Sequence, residues 1–236
     1  MSFIGGFFGV YSILNFCDFF GNAQTANMIY LITNLLGHNF SSALIRLGGV
    51  AVYMLALGLT AYLPKHSRIS LPLASVLLDG AAAFVVGFLP AGMDPVLALY
   101  PFFFATAFQW GSFKGAYGFT SSTIFSTNNL RQFTTAVTEI IFNRDSSFCL
   151  KARFFGCTLL SYHLGVAVSY ILCVVWGTHS IWFVIPAAIA AVPFVCIGNG
   201  CFFTGDFQTF VQKNQNLKPD FKFCIQERIS RKSLSW

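Results

Sequence analysis

Four long apolar runs dominate the chain, at residues 43–63, 69–89, 150–175 and 181–203. Each is long enough to carry a helix across about 30 Å of hydrocarbon at about 1.5 Å per residue. A fifth run, 95–113, is slightly shorter and strongly aromatic; a sixth, 2–16, is marginal in length. The sixth has no basic leading region and no A-x-A-like cleavage site, so it reads as a retained first helix rather than a signal peptide.

Two further stretches, 19–37 and 119–142, carry a polar first half and an apolar second half. The first opens Gly21-Asn22-Ala23-Gln24-Thr25-Ala26-Asn27; the second opens Thr120-Ser121-Ser122-Thr123 and passes Ser126-Thr127-Asn128-Asn129. Polar residues at a helix start are caps in water. At membrane depth, non-helical backbone leading into a helix is tolerated only where protein or a cavity surrounds it.

The connections carry charge of one sign at a time. Residues 64–68 hold Lys65 and Arg68, Lys114 follows the fifth run, and Arg144, Lys151 and Arg153 surround the 143–147 turn. Residues 90–95 carry only Asp94, and 177–180 carry no Lys or Arg. The positive-inside rule places the basic connections in the cytoplasm and the other two outside. The alternation then predicts six crossings plus two broken or re-entrant segments, with both termini cytoplasmic; full crossing of both polar-headed stretches would give eight.

Composition agrees. Of 236 residues, 9% are charged and 56% are hydrophobic, with 29 Phe; an average soluble domain is about 25% charged. A soluble enzyme, a disordered chain and a basic nucleic-acid binder are excluded. The net charge of +6 is a matter of topology: residues 205–236 hold six of the 14 basic residues. This stretch reads as a basic cytoplasmic tail on a single transmembrane domain at 1–204. Seven Cys, most of them within apolar runs and with no CxxC, read as small core residues.

The two polar-headed segments align with each other. Thr25-Ala26-Asn27-Met28 matches Thr127-Asn128-Asn129-Leu130 at an offset of 102, and Arg46, Gly49 and Gly58 match Arg153, Gly156 and Gly165 at an offset of 107. Gly9 falls opposite Gly111. The halves, about 1–89 and 95–203, each hold three crossings. An odd number makes the copies inverted, a common transporter plan. Gly49, Gly58, Gly156 and Gly165 are expected to serve close helix packing.

The chain resembles the YoaK-like family of bacterial multi-pass membrane proteins, whose function is unknown. One patch is Gly5-Gly6-Phe7-x-x-x-Tyr11 with Phe20-Gly21-Asn22-Ala23-Gln24-Thr25-Ala26-Asn27. The other is Gln109-Trp110-x-x-Phe113 with Ser126-Thr127-Asn128-Asn129-Leu130-Arg131. The resemblance covers most of residues 3–200 and implies a bacterial cytoplasmic membrane protein. Three positions depart from the family pattern. Gly9 stands where the family has Asp, and Ala26 and Asn128 stand where it has Gly. The family assigns no catalytic residues, so none are carried over.

Charges at the centre of a membrane helix cost about 2.5–3.5 kcal/mol on insertion scales, which makes each one a functional candidate. Asp79 lies in the middle of 69–89, either as a proton or cation site or as a carboxylate capped by hydroxyls or paired with Arg. Gln109 and His163 are the other mid-helix polar residues, and Asp79 and His163 are the candidate coupling groups. Glu139 and Arg131 fit a charged helix edge, and Arg46 and Arg153 fit interfacial anchors. Gln24, Thr25, Asn27, Thr127, Asn129 and Gln109 form the candidate substrate site. Free N–H groups and the positive dipole end of a half-helix favour an anion or a polar group. The alternative is a set of N-caps at the membrane surface.

There is no G-x-S-x-G, no H-E-x-x-H and no Gly-rich phosphate loop. No catalytic site, metal site or cofactor is therefore expected. The expectation is an all-α polytopic membrane protein that moves a small polar or anionic solute between two repeated halves, by alternating access. Its partners are the bilayer and that solute; nucleic acid is not among them, and a homo-oligomer is compatible. A non-transporting scaffold or accessory subunit is the alternative, and a membrane enzyme built around His163 is a third.

Overall fold

Eight helices of three turns or more account for most of the architecture, described for residues 1–16, 19–90 and 92–198 in a computed structural model. In order they are α1 (Ser2–Asn15), α2 (Thr25–Leu36), α3 (Phe40–His66), α4 (Leu71–Val86), the one-turn α5 (Pro95–Ala98), α6 (Tyr100–Ser112), α7 (Thr127–Phe142), α8 (Cys149–Trp176) and α9 (Val184–Gly198). Residues Met1–Val192 form one compact unit. The expected basic tail at 205–236 lies outside the described residues.

The apolar runs became helices at nearly their expected positions. α3 and α8, at 27 and 28 residues, are each about 40 Å long. α3 and the helical run Ser146–Ile197 are long and apolar enough to cross a bilayer. The 95–113 run is broken. α5 ends at Ala98, Leu99 caps it, and α6 begins at Tyr100 with Pro in its first turn, where a missing N–H is harmless. Asp94 starts this corner, its Oδ1 accepting from the N–H groups of Val96 (2.9 Å) and Leu97 (3.1 Å). The last run starts as a 3-10 turn, Gly177–Phe183, before α9. Its expected end at 199–203 lies outside the described residues.

One element has no precursor in the hydrophobic pattern. Gly115–Ala116 and Phe119–Thr120 pair as a minimal antiparallel hairpin between α6 and α7. Its turn residues Tyr117 and Gly118 have φ of 56° and 80°, the two positive values that a type I′ turn requires.

Polarity is arranged inside out. Large apolar side chains are exposed along α3, α4 and α8, among them Leu44, Met54, Leu77, Phe84, Leu160 and Val174. Ser12, Asn22, Asn27, Asp79, Gln109 and Asn129 are buried. Water would reverse that distribution, and hydrocarbon favours it. The protein is a largely helical membrane protein.

The helices interlock between early and late parts of the chain. α1 packs most extensively on α8, and α6 packs on α3 and α4; α2 lies on α3 and α7 on α8. Each long helix therefore packs against one helix distant in sequence, α1 on α8 and α6 on α3, and against the short helix that precedes it. Glycine lets α1 and α8 touch backbone to backbone. A Cβ on Gly6 would strike the Tyr162 carbonyl, and one on Gly165 would strike that of Phe3. Gly49 meets Phe103 and Asn27, and Gly156 meets Phe133, as packing glycines should. Gly58 does not: a Cβ there would find nothing within 4 Å. The packing expectation fails at that position because Gly58 is on the outer face of α3.

Candidate functional site

The polar heads of α2 and α7 fold inward and meet through the segments that precede them. Residues 19–24 run back alongside α1. The Gly21 N–H donates to Ser12 Oγ at 2.9 Å, and Asn22 Nδ2 donates to the Gly5 carbonyl at 2.6 Å. The same Nδ2 donates to the Ile124 carbonyl at 2.8 Å, joining the two polar segments. From α6, Gln109 Nε2 donates to Thr123 Oγ1 at 2.8 Å and to the Met1 carbonyl at 3.2 Å. Thr106 Oγ1 reaches the Gly21 carbonyl at 3.5 Å. Ser121, Ser122 and Ile124 are buried beside this contact. Backbone here is irregular and buried, and side-chain amides and hydroxyls supply the partners that a helix would otherwise supply.

Asn27 and Asn129 occupy equivalent places in the first turns of α2 and α7, each 1% exposed. Neither caps its helix. The cap residues are Gln24 and Ser126, and neither makes a side-chain capping bond. Asn27 Nδ2 donates to Gln24 Oε1 (2.7 Å) and to the Arg46 carbonyl (3.0 Å). Arg46 Nη1 returns a bond to Asn27 Oδ1 at 3.4 Å. The Arg46 guanidinium lies 4.8 Å from the Phe19 ring and 4.7 Å from the Tyr30 ring, a cation–π clasp. Asn129 instead holds the loop before α7. Its Nδ2 donates to the Ser122 carbonyl at 2.6 Å, and its Oδ1 accepts from the Ser122 N–H at 3.2 Å.

The candidate residues are thus brought together unequally. Gln24 and Asn27 form one cluster with Arg46; Asn129 joins Ser122; Gln109 joins Thr123 at the contact between the segments. Thr25 and Thr127 are exposed first-turn residues. His163 is exposed on α8, its Nδ1 bonded to the Leu159 carbonyl at 2.8 Å. Asp79 is fully buried in α4, and neither carboxylate oxygen has a hydrogen-bond partner.

Sequence reasoning missed Asn22, Ser122, Thr123 and the inward role of Arg46. The signal for Asn22 was its place in the Phe20–Asn27 patch; for Arg46 it was the aromatic pair Phe19 and Tyr30. The Gly9 departure also has a structural counterpart. A Cβ at Gly9 would lie 2.8 Å from Phe20, 2.9 Å from the Tyr162 hydroxyl and 3.3 Å from Asn22 Nδ2. Phe20 and Tyr162 occupy the space that a carboxylate at position 9 would need.

A recess of about 550 Å³ opens near the starts of α1 and α8, lined by Met1, Ser2, Tyr117, Arg153, Thr158 and Ser161 among others. None of the candidate substrate residues lines it. Met1 connects it to the buried polar contact through Gln109. No group of three or more His, Cys, Asp or Glu able to hold a metal occurs among the described residues.

An apolar exterior around a buried polar seam defines a helical membrane protein. The family model described as "Protein of unknown function (DUF1275)" matches residues 1–196, and the chain belongs to that family, the YoaK-like family of the sequence comparison. No curated protein and no solved structure matches the chain.

Proposed function

We propose that this protein transports a small polar or anionic solute by alternating access, with six crossings and two re-entrant segments arranged as an inverted repeat. The observation that carries the reading is the contact of Asn22 with Ile124. These positions are separated by the repeat offset of 102. A position that touches its own equivalent lies on the axis relating two copies. Transporters with inverted repeats place their sites there, at discontinuous helices.

Three features support re-entry. α2 has 12 residues, about 18 Å of helix, well short of the hydrocarbon thickness. Gly21 and Asn22 lie beside Ser12 and Gly5 of α1, so the segment doubles back on the helix before it. Thr123 does the same against Gln109 of α6.

The rocking bodies follow the packing. α1, α7 and α8 form one, and α2, α3, α4 and α6 form the other, with the two polar segments between them. The recess at Arg153 is the cytoplasmic entrance, and the seam at Asn22, Asn27, Gln109 and Asn129 is the solute path. Asp79 and His163 remain the candidate coupling residues.

A second reading, a non-transporting scaffold or accessory subunit, draws on the bonding of the seam, whose amides are mostly tied to neighbouring backbone. Flux of polar and anionic solutes into liposomes separates the two. Transport predicts solute uptake that falls at least tenfold in Asn27→Ala and Asn129→Ala. Unchanged flux in both variants would remove the proposed site, and no flux for any solute would favour the scaffold.

A further inference from the structure

Asp79 is the one fully buried carboxylate among the described residues. Both of its oxygens lack a partner. So does the Ser75 hydroxyl, also 0% exposed, one turn earlier on the same buried face of α4. Gln109 Oε1 on α6, the helix against which α4 packs most extensively, is likewise buried and unpartnered. The structure thus leaves polar groups on this pair of helices buried without partners and gives the carboxylate no hydrogen bond.

Charge does not resolve the imbalance. α6 carries no charged residue. On α3, Arg46 is held by Asn27, Phe19 and Tyr30, and Lys65 and His66 lie in the last turn; Tyr53 and Tyr62 are its phenols. In the turn after α8, His179 stacks near Trp182, which lies against Phe88 beyond the end of α4. The amino group of Met1 is the charged group whose field reaches Asp79, and the two form no ion pair. An ionised carboxylate buried without a partner is not tolerated; such a group is neutralised.

We propose that Asp79 is a proton-binding site: the carboxyl holds a proton while it is buried, and exchanges it with water when the site opens to water. The proton removes the charge that burial without a partner does not tolerate. On opening, the O–H bond breaks and the proton passes to water; on closing it returns. A hard metal cation is a poorer fit, because it takes roughly six oxygen ligands. The site stands on the burial of a carboxylate without a partner, independently of the transport reading. Coupling of this proton to solute movement rests on that reading.

The test uses the full chain in liposomes at neutral pH. Dicyclohexylcarbodiimide attacks protonated carboxyls in apolar surroundings, and mass spectrometry locates the adduct without any substitution. The expected result is labelling at Asp79 that falls at least tenfold at alkaline pH and is indifferent to sodium. Infrared spectra should show an acid carbonyl stretch that Asp79→Asn removes and Asp79→Glu keeps. If the wild-type spectrum has no such band, or if sodium suppresses both label and band at constant pH, the proposal is overturned. Absence of flux with the band present overturns the transport reading alone. Flux without the band overturns the proton site alone.

Discussion

Asn22 donates one hydrogen bond to the carbonyl of Gly5 and another to that of Ile124, tying α1 to both polar segments at once. Among the described residues, its Nδ2 makes the hydrogen bond that joins the first polar segment to the second. Truncation to Ala removes both bonds and leaves buried polar atoms unmatched. The cost of such a loss is about 1–3 kcal/mol, toward the lower end where other membrane groups can substitute. Thermal unfolding in detergent should show Asn22→Ala clearly destabilised. Thr25→Ala, at an exposed position, should lie within about 0.5 kcal/mol of wild type. Equal effects would contradict the special place of Asn22.

The glycines make a sharper contrast. Gly6 and Gly165 sit where α1 and α8 meet backbone to backbone, whereas Gly58 faces open space. Gly6→Val or Gly165→Val forces the helices apart, and overpacking of this kind costs about 1–3 kcal/mol or more. Gly58→Ala should be neutral or stabilising by up to about 1 kcal/mol, since Ala is the better helix former. Melting temperatures of the three variants decide it. A destabilised Gly58→Ala would mean that the outer face of α3 has a partner.

How much of this was legible in the sequence follows from what sets each feature. Bilayer thickness sets the length of an apolar run, so 150–175 became α8 and 43–63 became α3 with only their ends extended. The break at Leu99 was written in Pro101 but hidden by the aromatic run around it. The hairpin at 115–120 depends on two positive φ values at Tyr117 and Gly118, and hydrophobicity carries no trace of these. Asn27 and Asn129 were found because they repeat. Their bonds were not foreseen, because the partners, the Arg46 carbonyl and the Ser122 backbone, are fixed only by tertiary packing. Asp79 was visible as a charge in an apolar run; that its oxygens find no donor is a property of the fold.

The doubled-back segments predict sidedness. Single cysteines at 22–28 and 125–131, placed in a background without native Cys, should react with membrane-impermeant thiol reagents from opposite sides. Residues 22–28 should label from outside and 125–131 from the cytoplasm. Positions 27 and 129 should react most slowly, because both are buried. Labelling of both stretches from one side would rule out inverted re-entry.

The exchanged packing predicts which crosslinks stop transport. Asn15 Nδ2 lies 3.6 Å from Cys173 Sγ, so Asn15→Cys can be joined to the native Cys173 between α1 and α8, within one proposed body. Phe88 and Trp182, with ring centroids 5.1 Å apart, link the end of α4 to the turn after α8, across the two bodies. Phe88 is 64% exposed, so replacing it removes little core. A short bifunctional thiol reagent on Phe88→Cys/Trp182→Cys should abolish flux, and reduction should restore it. The Asn15–173 crosslink should leave flux within about twofold of the uncrosslinked protein, because a link inside a rigid body opposes no relative motion. Loss of flux from both links would show that the sequence halves move as units and that the packed groups do not, because each link joins residues 1–89 to residues 95–203.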